Sequence, residues 1–597
     1  MRNFYKIFKP KTYVWLFNIY KNHGFEALRR RLQILILGYN RFYNKWLNIK
    51  NPNLEELNFQ KKYKFDYEPL ISIVVPTYNT PKSFFKEMVK SVQEQTYSKW
   101  ELCIADGSTN NDVKAIVKEI NDSKIKYVSL NKNKGISENT NSAIYIANGE
   151  YISFLDHDDV IEKHALFEIV QSLQSKHHDL IYTDEDFATK DLSFFHDPVF
   201  KPNWSPDLLL SHNYITHFVC VKKQIVDKIH GLNSLYDGAQ DYDFLFRCIE
   251  NSKSIYHIPK VLYHWRENDA SVASDSSNKN YAYEAGLRAL QDHIDRADIC
   301  GYAESLSYPG FYTIRYNTPD NPLVSIIIPN MDHVKDIDKC LKSLYEVNSY
   351  KNFEIIIVEN NSKDKDTFQY YSKIKDLYDN LNIVEYKGDF NFSKICNFGA
   401  SVSNGEYLLF LNNDTEMIDS GSLCQMLGNC MRDDVGIVGA KLLYADDTIQ
   451  HAGVVLGFGG FAGHVFTGKK KDSRGYMLRP LINCNYSAVT GACLLIKKDV
   501  FNEVHGFTEK FAVGLNDIDL CLKVRHLNKL VVYNANSLWH HYESKSRGYE
   551  DTPEKKARLN KEIKLFQSIW KEDLDKGDPY YSSNFSIDYL PYEMLKV

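Results

Sequence analysis

The segment GEYISFLDHDD at 149–159 returns 256 residues later as GEYLLFLNNDT at 405–415, so the chain carries one unit twice. Each copy is a short apolar run closed by acidic or amide side chains. β-Branched and aromatic residues in such a run predict a buried strand, and polar groups at its tip then lie in the cleft where open α/β sheets place their chemistry. Asp156, Asp158 and Asp414 are therefore candidate ligands for a hard divalent cation whose remaining positions phosphate oxygens can fill. Asp-x-Asp also occurs at Asp336–Asp338, Asp364–Asp366 and Asp573–Asp575. There the surroundings predict solvated helix or loop.

Length and charge narrow the classes. A chain of 597 residues holds two such units plus pieces at both ends, and a formal net charge of −5 gives no case for a nucleic-acid partner. Eleven cysteines without a C-x-x-C or zinc spacing predict free thiols in a reducing compartment. The start, MRNFYKIFKPK, lacks the apolar core of a secretory signal, and no apolar stretch approaches the roughly 18–20 residues that span a bilayer. A cytoplasmic location is expected. Residues 1–50 carry eleven Lys and Arg against the single acid Glu26, interleaved with Phe4, Tyr13, Trp15, Leu16 and Phe17. Two readings stand: a segment lying on an anionic membrane face, or a helix packed on the first domain with a solvated basic side.

Read in parallel, ISIVVPTYN (71–79) and VSIIIPNMD (324–332) are apolar strands stopped by proline and followed by helical patterns. The second strands end in ELCIADGS (101–108) and EIIIVENNS (354–362), polar turns like those of a doubly wound sheet. No G-x-G-x-x-G sits at either turn, which argues against a dinucleotide fold. Asp106 and Glu359, with Thr77 at the end of the first strand, stand where a nucleotide base binds; a carboxylate there accepts the imide N–H of uracil or thymine. The alternative is a turn-forming acid. Further on, HGLNSLYDGAQDYDFLFR (230–247) answers HGFTEKFAVGLNDIDLCLKVR (505–525), giving Asp241 with Asp243 and Asp517 with Asp519. LYHWR then supplies His264, and LWHHYES supplies His540 and His541. The intervals Asp241 to His264 and Asp517 to His541 are 23 and 24 residues.

At these residues both copies resemble glycosyltransferase family 2 domains of the GT-A fold, an α/β, Rossmann-like architecture, and the tandem resembles bacterial proteins of O-antigen and capsule assembly. In the first copy the resemblance rests on FLDHDD, YTDED (182–186), KPNWSPDLLLSHNYI (201–215), GAQDYD and YHWR. In the second it rests on IVENNS, FNFSKICNFGA (390–400), FLNNDT, QHAGVVLG, SAVTGACLLI (487–496), NDIDLC and HHYESKSRG. It implies domains at 70–267 and 323–548, a basic N-terminal helical region at 1–69, a linker with a helix at 268–322 and a helical extension at 549–597.

The resemblance further implies that Asp158 and Asp414 bind Mg²⁺ or Mn²⁺ on a nucleotide-diphosphate sugar, that Asp241 and Asp517 are bases, and that His264 and His541 are late metal or phosphate contacts. Asp156, Asn412 and Asn413 complete the donor sites; Asn412 lacks the charge that Asp156 brings. The expected reaction inverts the anomeric centre, moving sugars from UDP-, dTDP- or GDP-linked donors to a lipid-linked glycan at the inner membrane face. A sugar-nucleotide pyrophosphorylase needs a basic Gly-rich loop after the first strand, which PTYNT and PNMDH do not provide. A carbohydrate-binding scaffold in one copy stays open for the second. Trp204 and Tyr214 are candidates to stack on sugars, and GVVLGFGGFAGHVFTG (453–468) reads as a lid or a plain mobile loop.

Overall fold

The repeated GEY has a packing cause. In a computed structural model, which describes residues 39–267, 280–542, 552–588 and 591–594, Gly149 N–H donates to Ser72 Oγ at 2.7 Å and Gly405 N–H to Ser325 Oγ at 2.8 Å. Each serine in turn donates to a glutamate, Glu101 or Glu354, at 2.6 Å. A Cβ on Gly149 would stand 2.5 Å from Ser72 Oγ, and one on Gly405 2.6 Å from Ser325 Oγ, so only glycine admits this closeness.

The first unit is one sheet of nine strands: β1 (Ile71–Thr77), β2 (Trp100–Asp106), β3 (Ile125–Ser129), β4 (Tyr151–Phe154), β5 (Val160–Ile161), β6 (Leu180–Ala188), β7 (Phe195–Val199), β8 (Val219–Lys222) and β9 (Ile255–Arg266). Their order is β3-β2-β1-β4-β8-β6-β9-β5, with β7 on β6. A ribbon of β10 (Gly301–Ser305) and β11 (Tyr312–Tyr316) follows. The second unit has β12 (Val324–Asn330), β13 (Phe353–Glu359), β14 (Leu381–Glu385), β15 (Tyr407–Leu411), β16 (Thr415–Met417), β17 (Val435–Leu443), β18 (Ile449–His451), β19 (Val454–Leu456), β20 (Ala462–His464), β21 (Cys484–Asn485), β22 (Cys493–Lys497) and β23 (Leu530–His541). Its order, β14-β13-β12-β15-β22-β17-β23-β16, is the same permutation.

In each unit the first four ordered strands are parallel, and β8 or β22 then runs against its neighbours. The chain leaves β1 toward β2 and returns on the other side as β4. That switch point opens a cleft at the strands' C-terminal ends, where Thr77, Asp106 and Asp156 fall.

The His-Gly pairs serve the fold. His230 and Gly231 have φ of 61° and 69°, His505 and Gly506 59° and 62°, which reverses the chain after a short helix. Arg247, on the helix Gln240–Glu250, donates to the Ile229 and Gly231 carbonyls and to Asp243. Lys523 makes the matching contacts with Gly506 and Asp519. Asp243 and Asp519 thus brace the turn.

The units are joined by a buried polar seam. Asn485 Nδ2 donates to Asp207 Oδ2 at 2.8 Å, Ser205 Oγ donates to Asn485 Oδ1 at 2.9 Å, and Arg432 pairs with Asp207 at 2.5 Å. The helix Asn280–Arg296 packs on the helix Gln240–Glu250, and Tyr312 N–H donates to the Ser211 carbonyl, so the connecting segment is a wedge.

At the start, Phe42, Tyr43, Trp46 and Leu47 bury one face of the helix Tyr39–Lys50, and Tyr43 Oη donates to Asp186. The packed reading therefore describes residues 39–50. The rest of the basic segment lies outside the described residues. At the other end Thr552 caps the helix Pro553–Ile569 by accepting from Lys555 N–H, and Phe566 and Trp570 are buried. The Gly-rich stretch folds as the β19–β20 ribbon, pinned where Leu456 N–H donates to Asp578 and Gln567 donates to the Gly460 carbonyl. All eleven cysteines are free thiols, and no described helix is long and apolar enough to cross a membrane.

Asp207→Ala would leave the buried Arg432 guanidinium with the half-exposed Asp434 as its one remaining carboxylate, beside the Tyr316 hydroxyl. A loss of about 3 kcal/mol in unfolding free energy is expected, since orphaning one member of a buried pair costs more than the pair contributes. A denaturation midpoint that does not move would show that the seam is not under this load.

Candidate active sites

In the first unit the triplet leaves β4 and turns back into β5. Asp156 is half-exposed at the cleft, and His217 Nε2 lies 4.0 Å from its Oδ2. His217 stacks on Tyr263 with ring centres 4.4 Å apart and planes 10° from parallel. His157 Nδ1 lies 3.7 Å from Asp158 Oδ1. The third acid, Asp159, is buried and accepts from Tyr263 Oη at 2.6 Å and Arg266 N–H at 2.7 Å. Burial, with the like charges of Asp156 and Asp158 beside it, pushes its carboxyl well above the usual range.

Asp241 sits in the first turn of the helix Gln240–Glu250 and accepts from Asn213 Nδ2 at 2.8 Å. Burial raises its pKa; His217 pulls it down and Asp156 pushes it up. His217, Asp156 and Asp241 therefore share one electrostatic neighbourhood. Asp106 accepts from Thr77 Oγ1 at 2.9 Å, Ser108 N–H at 3.0 Å and Tyr127 Oη at 2.9 Å.

The second unit repeats the frame with other side chains. Glu359 accepts from Ser362 N–H at 2.6 Å, Ser362 Oγ at 2.7 Å and Tyr371 Oη at 2.6 Å. Asn413 Nδ2 donates to Asn330, the counterpart of Thr77, at 2.7 Å. His541 Nε2 lies 3.1 Å from both Asp414 Oδ1 and Asn412 Nδ2, while its Nδ1 is 2.7 Å from Gln450 Oε1. Asp517 accepts from Gly491 N–H at 2.9 Å in the first turn of the helix Asn516–His526.

The surroundings of His264 differ from those the resemblance implies for a metal or phosphate contact. Its Nδ1 is 2.6 Å from Asp186 and its Nε2 3.1 Å from Glu162. Burial alone would lower its pKa, but these two carboxylates override that and push it to about 10. An imidazolium bonded at both nitrogens has no lone pair for a metal. The strand registers give the reason: Val160 pairs with His264 and Glu416 with His540, so His264 corresponds to His540 and Trp265 to His541. An ungapped match of LYHWR to LWHHY carries that signal, and so does the equal 23-residue interval from Asp241 to His264 and from Asp517 to His540.

His217, Asn213, Asp159, Glu185 and Lys201 were not singled out from sequence. Lys201 is buried, with Nζ 3.2 Å from Glu185 Oε2 and 2.5 Å from the Ile215 carbonyl oxygen. Glu185 also accepts from Thr216 Oγ1 and His217 N–H. Of the proposed sugar platforms, Tyr214 is buried against Tyr182 and Ser205, whereas Trp204 lines a cavity of about 740 Å³ between the units.

The fold is the GT-A fold, built twice, and the chain belongs to glycosyl transferase family 2: that family matches residues 72–227 and 325–504, more than half of the chain. It is similar to an uncharacterized protein of Sinorhizobium fredii, y4gI, 40% identical over 87% of this chain and 58% of that one. The O-antigen biosynthesis protein RfbC of Myxococcus xanthus is 33% identical over 91% of this chain and 42% of its own length. The chain thus spans about half the length of the curated relatives it matches. Among solved structures, S. aureus TarS with UDP-GlcNAc has a TM-score of 0.32 at 20% identity, covering 38% of this chain and 66% of that one.

The charged His264 gives stability a pH dependence. Because its folded pKa is raised from about 6.5, its contribution is complete below that pH and is lost as pH rises through about 10. Between pH 7 and 9.5 the urea midpoint of the native protein is expected to fall more than that of His264→Gln. Parallel pH profiles would contradict the assignment.

Proposed function

We propose that this chain is a bifunctional, inverting glycosyltransferase that moves sugars from UDP-, dTDP- or GDP-linked donors to hydroxyls of a growing, lipid-linked bacterial surface glycan. The observation that carries the reading is the repetition of parts: at the C-terminal ends of matching strands both units hold a base-side carboxylate (Asp106, Glu359), a triplet acid (Asp158, Asp414) and a first-turn helix aspartate (Asp241, Asp517). The name of the relative RfbC supports the polysaccharide class.

The residues fit a divalent cation. Asp156 and Asp158 are hard oxygen donors; burial first, and then their negative charges, raise the pKa of the neighbouring Asp159, and a positive charge there would relieve that repulsion. In the second unit Asp414 and His541 offer an oxygen and a nitrogen. Among the described residues no cluster of three or more His, Cys, Asp or Glu makes a cage by itself, so diphosphate oxygens must complete the sphere. Bound Mg²⁺ or Mn²⁺ would supply charge neutralisation for the departing diphosphate.

Asp241 and Asp517 then take the acceptor hydroxyl proton. The raised pKa of Asp241 makes it a better base than an exposed aspartate, and Asn213 fixes its orientation. Asp156 and Asn412 contact the donor, Asn412 through its amide. A single displacement inverts the sugar carbon.

Asp241→Asn is expected to stop one sugar addition and Asp517→Asn the other, each slowing its step by about 10²–10⁴ while nucleotide binding persists. Product chains of different length should accumulate. If Asp517→Asn changes no product, the second unit is a carbohydrate-binding scaffold. Exhaustive EDTA should abolish both additions and Mn²⁺ restore them; full activity without metal would remove Asp158 and Asp414 from the mechanism.

The membrane contact is assigned to the N-terminal helices. Ile49, Leu54, Phe59 and Tyr63 are 58%, 79%, 62% and 45% exposed, beside the exposed Arg41, Lys45, Lys50, Lys61, Lys62 and Lys64. Apolar side chains among six basic ones, against the exposed acids Glu55 and Glu56, suit an anionic bilayer. Leu54→Asp with Phe59→Asp should release the protein from phosphatidylserine vesicles, as should high salt in part. Unchanged binding by the double variant would place the contact elsewhere.

A further inference from the structure

We propose that His217 is the donor-diphosphate histidine of the first site, brought in from the segment before β8 rather than from the end of β9. The inference rests on the nucleotide-sugar reading above and adds a residue to it.

The argument is one of exchange between the two copies. The sheet registers fix the correspondence: Tyr151 pairs with Lys222 and Tyr407 with Lys497, so three residues before Cys220 and Leu495 stand His217 and Ala492. At the end of the long strand the correspondence is Trp265 with His541. The first copy therefore has His217 and Trp265 where the second has Ala492 and His541. Besides His157 within the first triplet, each unit brings one histidine to the triplet from elsewhere in the chain, from the segment before β8 in the first and from the end of β23 in the second.

The geometry of His217 is that of a held group. Its ring stacks on Tyr263 and meets Trp265 edge-on, with centres 5.4 Å apart and planes at 90°. It therefore lies over the very position from which His541 acts in the other unit. Its Nε2 faces Asp156 at 4.0 Å. Its backbone N–H donates to Glu185 Oε2 at 3.0 Å and its carbonyl accepts from Lys201 Nζ. Four residues earlier, Asn213 donates to Asp241. One anchored segment thus sets Asn213 on the candidate base and His217 beside the first triplet carboxylate. A diphosphate bridged by a divalent cation to the triplet carboxylates would come within reach of an imidazole N–H, a donor that Trp265 would otherwise have to replace.

The test uses the full chain carrying Asp414→Asn, which weakens donor binding at the second site. Binding of uridine, guanosine and thymidine and of their diphosphates is measured by calorimetry with Mn²⁺, and the tightest pair is kept. His217→Phe preserves the stack on Tyr263 and removes the nitrogens. Its affinity for the nucleoside diphosphate is expected to fall ~10-fold or more, the worth of a charge-assisted hydrogen bond, with nucleoside affinity unchanged. Equal affinity for the diphosphate, or an equal loss for nucleoside and diphosphate, would overturn the proposal while leaving the donor site intact. If the parent binds no nucleoside diphosphate, the nucleotide-sugar reading itself fails. Should His217→Phe not melt cooperatively, His217→Gln decides on the same criteria.

Discussion

Three consecutive carboxylates on β6 organise the first unit. Asp184, Glu185 and Asp186 are all buried, which is unfavourable for a charge unless partners are built around it. Each has its own. Asp184 takes His257 Nε2 at 2.9 Å, Lys201 N–H and the Asn584 amide of the C-terminal tail. Glu185 takes Lys201 and the 216–217 backbone; Asp186 takes His264 and Tyr43 of the first described helix. From one strand the first described helix, the tail around Asn584 and the segment bearing His217 are tied to the sheet. The site's precision depends on this network, because side chains on a connecting segment hold their geometry only if a supporting shell fixes them.

The second unit reaches the same outline with different chemistry. The position of Asp184 is occupied by Lys441, whose Nζ donates to the carbonyls of Lys471 and Pro480 and whose pKa burial lowers to about 8. Leu442 and Leu443 stand in place of Glu185 and Asp186. With no acidic strand to clamp a segment before β22, Ala492 sits where His217 does, and the histidine arrives from β23 with Gln450 as its brace. The topology is shared, whereas the charges that orient each site are not.

That division explains what the sequence reveals. Strand runs, the two-fold repeat and the polar strand ends are local patterns that put Asp106, Asp156 and their counterparts at strand ends, and the matched His-Gly segments single out Asp241 and Asp517, which lie in first helical turns. His264 was paired with His541 because the latter precedes Tyr-Glu-Ser at the family's spacing, whereas the 23-residue interval from each helix aspartate and the match of LYHWR to LWHHY both select His540. His217 and Asn213 stayed hidden because their role depends on a buried ion pair between Lys201 and Glu185, residues 16 apart in sequence whose meeting is a property of the sheet. The junction was equally invisible: Asp207 and Asn485 are 278 residues apart, and neither has a local pattern that foretells a buried partner.

The central claim is that the chain builds one donor site twice from unequal parts. Calorimetric titration of the intact protein with nucleoside diphosphate in saturating Mn²⁺ tests it most directly. Two molecules bound per chain, with one event lost on Asp158→Asn and the other on Asp414→Asn, is the predicted result. A stoichiometry of one, abolished by Asp158→Asn and untouched by Asp414→Asn, would contradict it.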